Sequence, residues 1–257
     1  MKPLLKWAGG KRWLVPTLQD IWQPYAERKL IEPFVGGMAV ALGLNPQQAV
    51  LSDANEHLIN FYQQVQQGLK VKFRLKNDRE YYYKMRTKFN TLISKSKHLT
   101  QDAASIFYFL VRTGYNGLCR FNSSGEFNVP FGQHNKINYK TDFVDYQEVL
   151  QSWEFKTLDF QSMRLQGDEF IYADPPYDVE FTRYSVKDFV WQDQVRLAEW
   201  LCLHPGPVVA SNQATDRIVR LYTKLGFKII LLSAPRSIAC NGDRQPAQEI
   251  LALRGIN

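Results

Sequence analysis

Two short stretches carry residue types that could act on a planar amine. Asp174-Pro175-Pro176-Tyr177 follows the apolar run Phe170-Ile171-Tyr172-Ala173. An apolar run ending in a carboxylate reads as a buried parallel strand whose carboxyl end faces a ligand. Successive prolines fix φ and remove two N–H donors, so their carbonyls remain as rigid acceptors. A carboxylate, fixed carbonyls and an aromatic ring can together accept hydrogens from an amine and stack on its ring; a plain Pro-Pro turn is the bland alternative. The second stretch, Glu32-Pro33-Phe34-Val35-Gly36-Gly37, runs from a strand into a glycine turn that lets backbone approach a ligand, although a tight turn explains it equally. Asp53 ends the next strand candidate, where a ribose hydroxyl would be bound. In Lys6-Trp7-Ala8-Gly9-Gly10-Lys11 the tryptophan reads first as a packing anchor. The Gly-x-Gly-x-x-Gly fingerprint is missing, and Gly9-Gly10-Lys11 lacks the earlier glycine of a phosphate loop, which disfavours a phosphate-rich cofactor.

These residues need an open α/β sheet to hold them. Leu30–Phe34, Ala49–Leu51, Phe170–Ala173 and Val208–Ala210 are short apolar runs that end in Gly, Asp, Ser or Asn. Helical patterns, notably 55–65 and 192–203, lie between or after them, and Phe227–Leu232 and Ile250–Leu253 would complete the sheet. Strand alternating with helix predicts a Rossmann-like sheet with helices on both faces. The alternation stops in the middle of the chain. There 80–95 and 102–112 read as helices, followed by a Gly/Asn/Phe-rich loop over 113–139. The expected organisation is a catalytic domain of residues 1–55 and 146–257, with residues 56–145 inserted as a mainly helical domain.

Charge marks the same segment. Residues 56–145 hold 14 Lys and Arg against 7 Asp and Glu, while the rest of the chain holds 18 of each sign. The whole formal excess of +7 is therefore local, which suits a polyanion because each neutralised phosphate releases counterions. A solvated Lys-rich helical face is the competing reading. The 257 residues, 45% hydrophobic and 22% charged, are those of an ordinary globular protein. No apolar run approaches the roughly 20 residues of a membrane span, and the start of the chain lacks the apolar core of a signal peptide. Cys119, Cys202 and Cys240, like the four histidines, are scattered, so neither a disulfide framework nor a metal site is expected. A cytoplasmic setting fits.

Together these motifs resemble the DNA adenine methyltransferases of the Dam type, in which a cofactor motif precedes a recognition segment and then the catalytic motif. The resemblance covers the Trp-Ala-Gly-Gly-Lys start, the Glu-Pro-Phe-Val-Gly turn, Asp53, the segments 115–120 and 125–132, and Asp174–Tyr177. It implies S-adenosylmethionine as methyl donor, S-adenosylhomocysteine as product and double-stranded DNA as partner, with no metal. Trp7, Lys11, Glu32, Phe34, Gly36, Asp53 and Asp174 would face the donor, and Asp159-Phe160, ending the strand candidate before the catalytic one, are similar to residues that hold its adenine. Asp174, Pro175, Pro176 and Tyr177 would form the catalytic motif. Arg120 stands in the family's guanine-reading position, where a surface ion pair is the alternative. Lys6, Tyr115, Asn116 and Pro130 would also contact DNA. The similarity to GATC-specific members implies methylation of the adenine in GATC, either as a solitary enzyme or within restriction-modification. Two departures stand out: Met38 replaces a glycine frequent in relatives, and Gln133-His134 replace a basic and an aromatic residue. Rival readings are methylation of RNA adenine, cytosine N4 or a glutamine side chain, and a catalytically inactive DNA-binding protein on the same scaffold.

Overall fold

A computed structural model describes residues 1–178, 189–235 and 247–256. Cys240 lies outside the described residues. Among the described residues seven strands form one sheet: β1 (Leu30–Glu32), β2 (Ala49–Asp53), β3 (Trp153–Thr157), β4 (Phe170–Ala173), β5 (Val208–Gln213), β6 (Lys228–Ala234) and β7 (Ala247–Arg254). Their spatial order is β3-β2-β1-β4-β5-β7-β6. The first five are parallel, and β7 inserts antiparallel to both β5 and β6. The helices are α1 (Val15–Trp22), α2 (Ala39–Leu44), α3 (Glu56–Gln66), α4 (Arg79–Ser94), α5 (Gln101–Thr113), α6 (Val144–Leu150), α7 (Trp191–Leu203) and α8 (Asp216–Lys224). Among the described residues no helix is long and apolar enough to cross a membrane.

The order explains where a site can form. From β1 the chain builds outward to β2 and β3, then returns to place β4 on the other flank of β1. At such a reversal the loops leaving neighbouring carboxyl ends splay apart and leave a crevice. Glu32 ends β1 and Asp174 immediately follows β4, so both reach this crevice.

Both faces of the sheet are covered. Side chains alternate along a strand, and in β4 Phe170 and Tyr172 join one apolar cluster while Ile171 and Ala173 join the other. The second cluster packs under α7 and α8 through Leu197, Leu201, Ile218 and Tyr222. The first runs without a break from the sheet through α3 to α5 and on to Phe89 and Phe127. Helix α5 is buried on nearly every side, as a helix apolar all round must be. Although α3 opens the segment of excess charge, Gln63 and Gln66 donate to the β3 carbonyls of Phe155 and Trp153 at 2.9 and 2.7 Å.

The loop after α5 is ordered by side chains of α4. Asn90 brackets Phe127, accepting from its N–H at 2.9 Å and donating to its carbonyl at 3.2 Å. Tyr82 and Arg86 both donate to the Val129 carbonyl. A turn from Asn122 to Glu126 uses Gly125 at φ +75°, a conformation glycine adopts without steric cost.

Candidate active site

Asp174 is the centre of a tightly bonded group. Its Oδ1 lies 3.0 Å from Lys11 Nζ and accepts from Ser211 Oγ at 2.8 Å. Ser211 sits in β5, and its hydroxyl is 3.0 Å from that of Tyr172, two residues before Asp174 on β4. Lys11 is buried, donates to the Gly9 carbonyl at 2.9 Å and stands 4.6 Å from the centre of the Tyr177 ring. Burial pushes the Asp174 carboxyl above its usual range, while Lys11 and Ser211 oppose that rise.

The two prolines present different carbonyls. That of Pro176 accepts from Gln194 of α7 at 2.8 Å, and Gln194 is in turn held by Asn212 of β5 at 2.9 Å. No donor among the described residues bonds the Pro175 carbonyl. The half-buried Tyr177 donates its hydroxyl hydrogen to Glu249 Oε2 at 2.6 Å, from the antiparallel strand β7.

The glycine turn is built around Trp7. A Cβ on Gly36 would lie 3.0 Å from Trp7 Nε1, and one on Gly37 would lie 2.9 Å from Trp7 Cβ. Trp7 thus packs as an anchor against this turn. Gly36 has φ +44° and is fixed from both ends: its N–H bonds Asp53 Oδ2 at 3.1 Å, and its carbonyl accepts from Tyr62 at 2.7 Å. Met38 is fully buried at φ +59°, a left-handed conformation that costs an ordinary residue about 1–2 kcal/mol. Glycine adopts that conformation without steric cost.

Carboxylates crowd this crevice. Glu32, nearly fully buried, accepts from the Ala41 N–H at 3.2 Å, and Asp53 also accepts from the Asn55 N–H at 2.9 Å. Burial raises the pKa of Glu32, Asp53 and Glu249 alike, and the charge of Asp174 raises Glu32 and Glu249 further. Several desolvated carboxylates beside one lysine make a site that favours added positive charge. A donor carrying both an ammonium and a sulfonium fits that chemistry. Next to them, Phe34 lies 5.8 Å from Phe160 and 5.6 Å from Phe189, an aromatic wall of the kind that lines a purine slot. Asp159 holds this corner by a two-pronged ion pair with Arg196 at 2.8 and 3.0 Å, which lowers its pKa, and Arg196 covers the Phe160 ring at 4.3 Å.

The residues expected at DNA lie around a single loop. Gly117, at φ +66°, leaves no room for a side chain against the Lys6 backbone, which brings Lys6 beside Asn116. Asn116 is itself left-handed at φ +52°, and Tyr115 is exposed. The Tyr115 N–H bonds the carbonyl of the exposed Pro130 at 2.9 Å. Arg120 is half-buried and donates from Nε to Asn128 Oδ1 at 2.8 Å. Asn55, which caps α3 directly after the Asp53 turn, donates to Cys119 Sγ at 3.2 Å and so links this loop to the crevice. Burial holds the Cys119 thiol up at about 12, protonated and unreactive.

Ser211, Glu249, Gln194 and Tyr62 were not legible as site residues in the sequence. In the sequence Ser211-Asn212 marks only the end of the strand candidate Val208–Ala210, and Glu249 joins the site through the pairing of β7 with β5, opposite Gln213. Among the described residues no group of three His, Cys, Asp or Glu side chains is placed to hold a metal ion.

A family model described as D12 class N6 adenine-specific DNA methyltransferase matches residues 7–238. The retron Ec67 DNA adenine methylase of Escherichia coli is 32% identical, over 99% of this chain and 92% of its own. The DNA adenine methylase of Escherichia coli strain K12 is 34% identical over 98% and 95%. The type II methyltransferase M1.LlaDCHI of Lactococcus lactis is 35% identical over 77% and 75%.

Proposed function

Because the chain belongs to the D12 class of N6 adenine-specific DNA methyltransferases, we propose that it methylates the adenine of GATC in duplex DNA, with Asp174, Pro175, Pro176 and Tyr177 acting on the adenine amine. The observation that carries this reading is the Asp174 carboxylate, pinned through Oδ1 by Lys11 and Ser211 at the crevice between β1 and β4, with the Tyr177 ring beside it. S-adenosylmethionine, the donor the family implies, supplies an electrophilic methyl group on a sulfonium when bound. Trp7, Lys11, Glu32, Gly36 and Asp53 would hold its charged end and ribose, and Phe34, Asp159 and Phe160 its adenine.

The nucleophile is weak, because the lone pair of the adenine amine is delocalised into the ring. It is also out of reach inside a stacked duplex, so the base must be swung out at a cost of a few kcal/mol. Tyr177 would offset part of that cost by stacking on the extruded purine. The Asp174 carboxylate and the Pro175 carbonyl would accept the two amine hydrogens and localise the lone pair on nitrogen. As the new N–C bond formed at the expense of the S–C bond of the donor, positive charge would pass from sulfur to that nitrogen next to fixed acceptors, which is electrostatic stabilisation without reorganisation.

Recognition would fall to Lys6, Tyr115, Asn116, Arg120 and Pro130, with the excess positive charge of residues 56–145 supplying affinity for phosphates. Arg120 would read a guanine through its guanidinium, the commonest specific base contact. Its bond to Asn128 keeps the side chain oriented before DNA arrives. The test is methyl transfer from labelled donor to matched duplexes containing GATC, a scrambled site or GATC with its adenine replaced, and to RNA of the same sequence. N6-methyladenine in the GATC duplex alone supports the reading. Equal labelling of the scrambled duplex removes the sequence assignment, and preference for RNA removes the substrate.

A further inference from the structure

Both chain neighbours of Arg120 are held by the start of α3. On one side Asn55 Nδ2 donates to Cys119 Sγ at 3.2 Å. The same Asn55 caps the helix, its Oδ1 accepting from the His57 and Leu58 N–H groups at 3.1 and 3.2 Å. On the other side the His57 ring stacks on Phe121, with centres 4.8 Å apart and planes 19° from parallel. His57 is itself wedged among Phe89, Phe107 and His98, at 5.3, 6.2 and 5.3 Å. His98 in turn is bonded to Glu56 at 3.1 Å. Burial lowers the His57 pKa to about 4, so at neutral pH its ring is an uncharged plane. Past Phe121 the chain doubles back, Phe121 bridging Phe127 and Asn128 donating its N–H to the Arg120 carbonyl at 3.1 Å.

The reading of a base edge makes such support matter. Paired hydrogen bonds from a guanidinium to guanine need their donors placed within about 0.5 Å and 10–20°. A side chain on a loop meets that tolerance only when the residues around it are locked by packing and hydrogen bonds. We propose that Asn55 and His57 are specificity-positioning residues: by holding Cys119 and Phe121 they set the point from which Arg120 reaches its base. The assignment rests on the guanine-reading role given to Arg120 above, and it requires no contact of Asn55 or His57 with DNA. It gives the first turn of α3 a part in choosing the sequence.

The readout is discrimination, the ratio of kcat/KM for a GATC duplex to that for a duplex carrying CATG. A merely structural loss slows both duplexes alike and leaves this ratio where it was. Arg120→Ala removes the reading group and lowers the ratio about 5- to 150-fold. Asn55→Ser keeps a capping oxygen but is too short to reach Cys119; it lowers the ratio about fivefold, as does Cys119→Ala. His57→Ala lowers it by a similar factor, whereas His57→Phe restores an uncharged ring and keeps it within about twofold of the parent. In the Arg120→Ala background Asn55→Ser and His57→Ala lower the ratio no further, because the group they position is gone. An undiminished ratio in either Asn55→Ser or His57→Ala overturns the proposal, and so does a loss that persists in full without Arg120. Should His57→Ala fail to fold, Asn55→Ser decides: a lowered ratio supports the assignment and an unchanged one overturns it. If Arg120→Ala discriminates as well as the parent, the guanine-reading role falls, and the positioning role falls with it.

Discussion

Replacing Lys11 with methionine should destabilise the protein in a way that depends on pH. Lys11 is 4% exposed and meets Asp174 at 3.0 Å, whose side chain is 19% exposed. Removing one partner of a buried pair costs about 3–5 kcal/mol, and the partial exposure of Asp174 puts the expected loss near the lower figure, at about 3 kcal/mol at pH 8. Without its lysine the Asp174 carboxyl is held higher still, because the positive charge that favours its ionised form is gone. The sign follows from the direction of that shift. Burial already holds the Asp174 pKa above its unfolded value, so its ionisation costs stability as pH rises through the folded value, and the variant raises that value again. Destabilisation by Lys11→Met should therefore grow from pH 5 to pH 8 and fade below the ordinary carboxyl range. Urea unfolding of the parent, Lys11→Met, Asp174→Asn and the double variant across that range measures it. The double variant should be more stable than the two single losses together imply, by about 2 kcal/mol. A loss that is flat with pH, or additive losses, would refute the reasoning.

Three further outcomes follow from other contacts. Gly37→Ala drives a Cβ to 2.9 Å from Trp7 Cβ, so Trp7 must move; its fluorescence should shift and donor affinity should fall about 10-fold by titration. Glu32→Gln removes a carboxyl whose pKa burial raises, so it should stabilise the donor-free protein by about 1 kcal/mol at pH 8 but not at pH 4, while weakening donor binding; calorimetry at the two pH values reads both. Arg120→Ala should relax discrimination at one guanine by about 1–3 kcal/mol in competition between duplexes, and an unchanged preference would count against that contact.

Much of the scaffold was legible because local pattern and tertiary packing agree. The strand starts at Leu30, Ala49, Phe170 and Val208, and helices over 80–95, 102–112 and 192–203, match elements that differ by at most three residues at their ends. The structure closes α4 and α5 with caps, Asp78 accepting from the Tyr81 N–H and Thr100 from the Ala103 N–H. Strand β3 was visible only as a candidate ending at Asp159-Phe160. It lies at the sheet edge with alternate residues exposed, so it lacks the continuous apolar run of its neighbours. The insertion of β7 between β5 and β6 is a long-range pairing that strand order in the chain does not reveal. For the same reason Ser211 and Glu249 escaped notice: each is a single polar residue in a strand, given meaning by a partner 37 or 72 residues away. The Asp159–Arg196 pair is hidden in the same way, across 37 positions.

The central claim is that Asp174 acts on the amine and not on the binding of DNA. It is tested most directly by Asp174→Ala, measured side by side for single-turnover methylation and for affinity to a GATC duplex. The account predicts a rate loss of at least about 10²–10³ with DNA affinity kept within about fivefold. A variant that still methylates at a comparable rate, or one that loses DNA affinity in step with turnover, would contradict it.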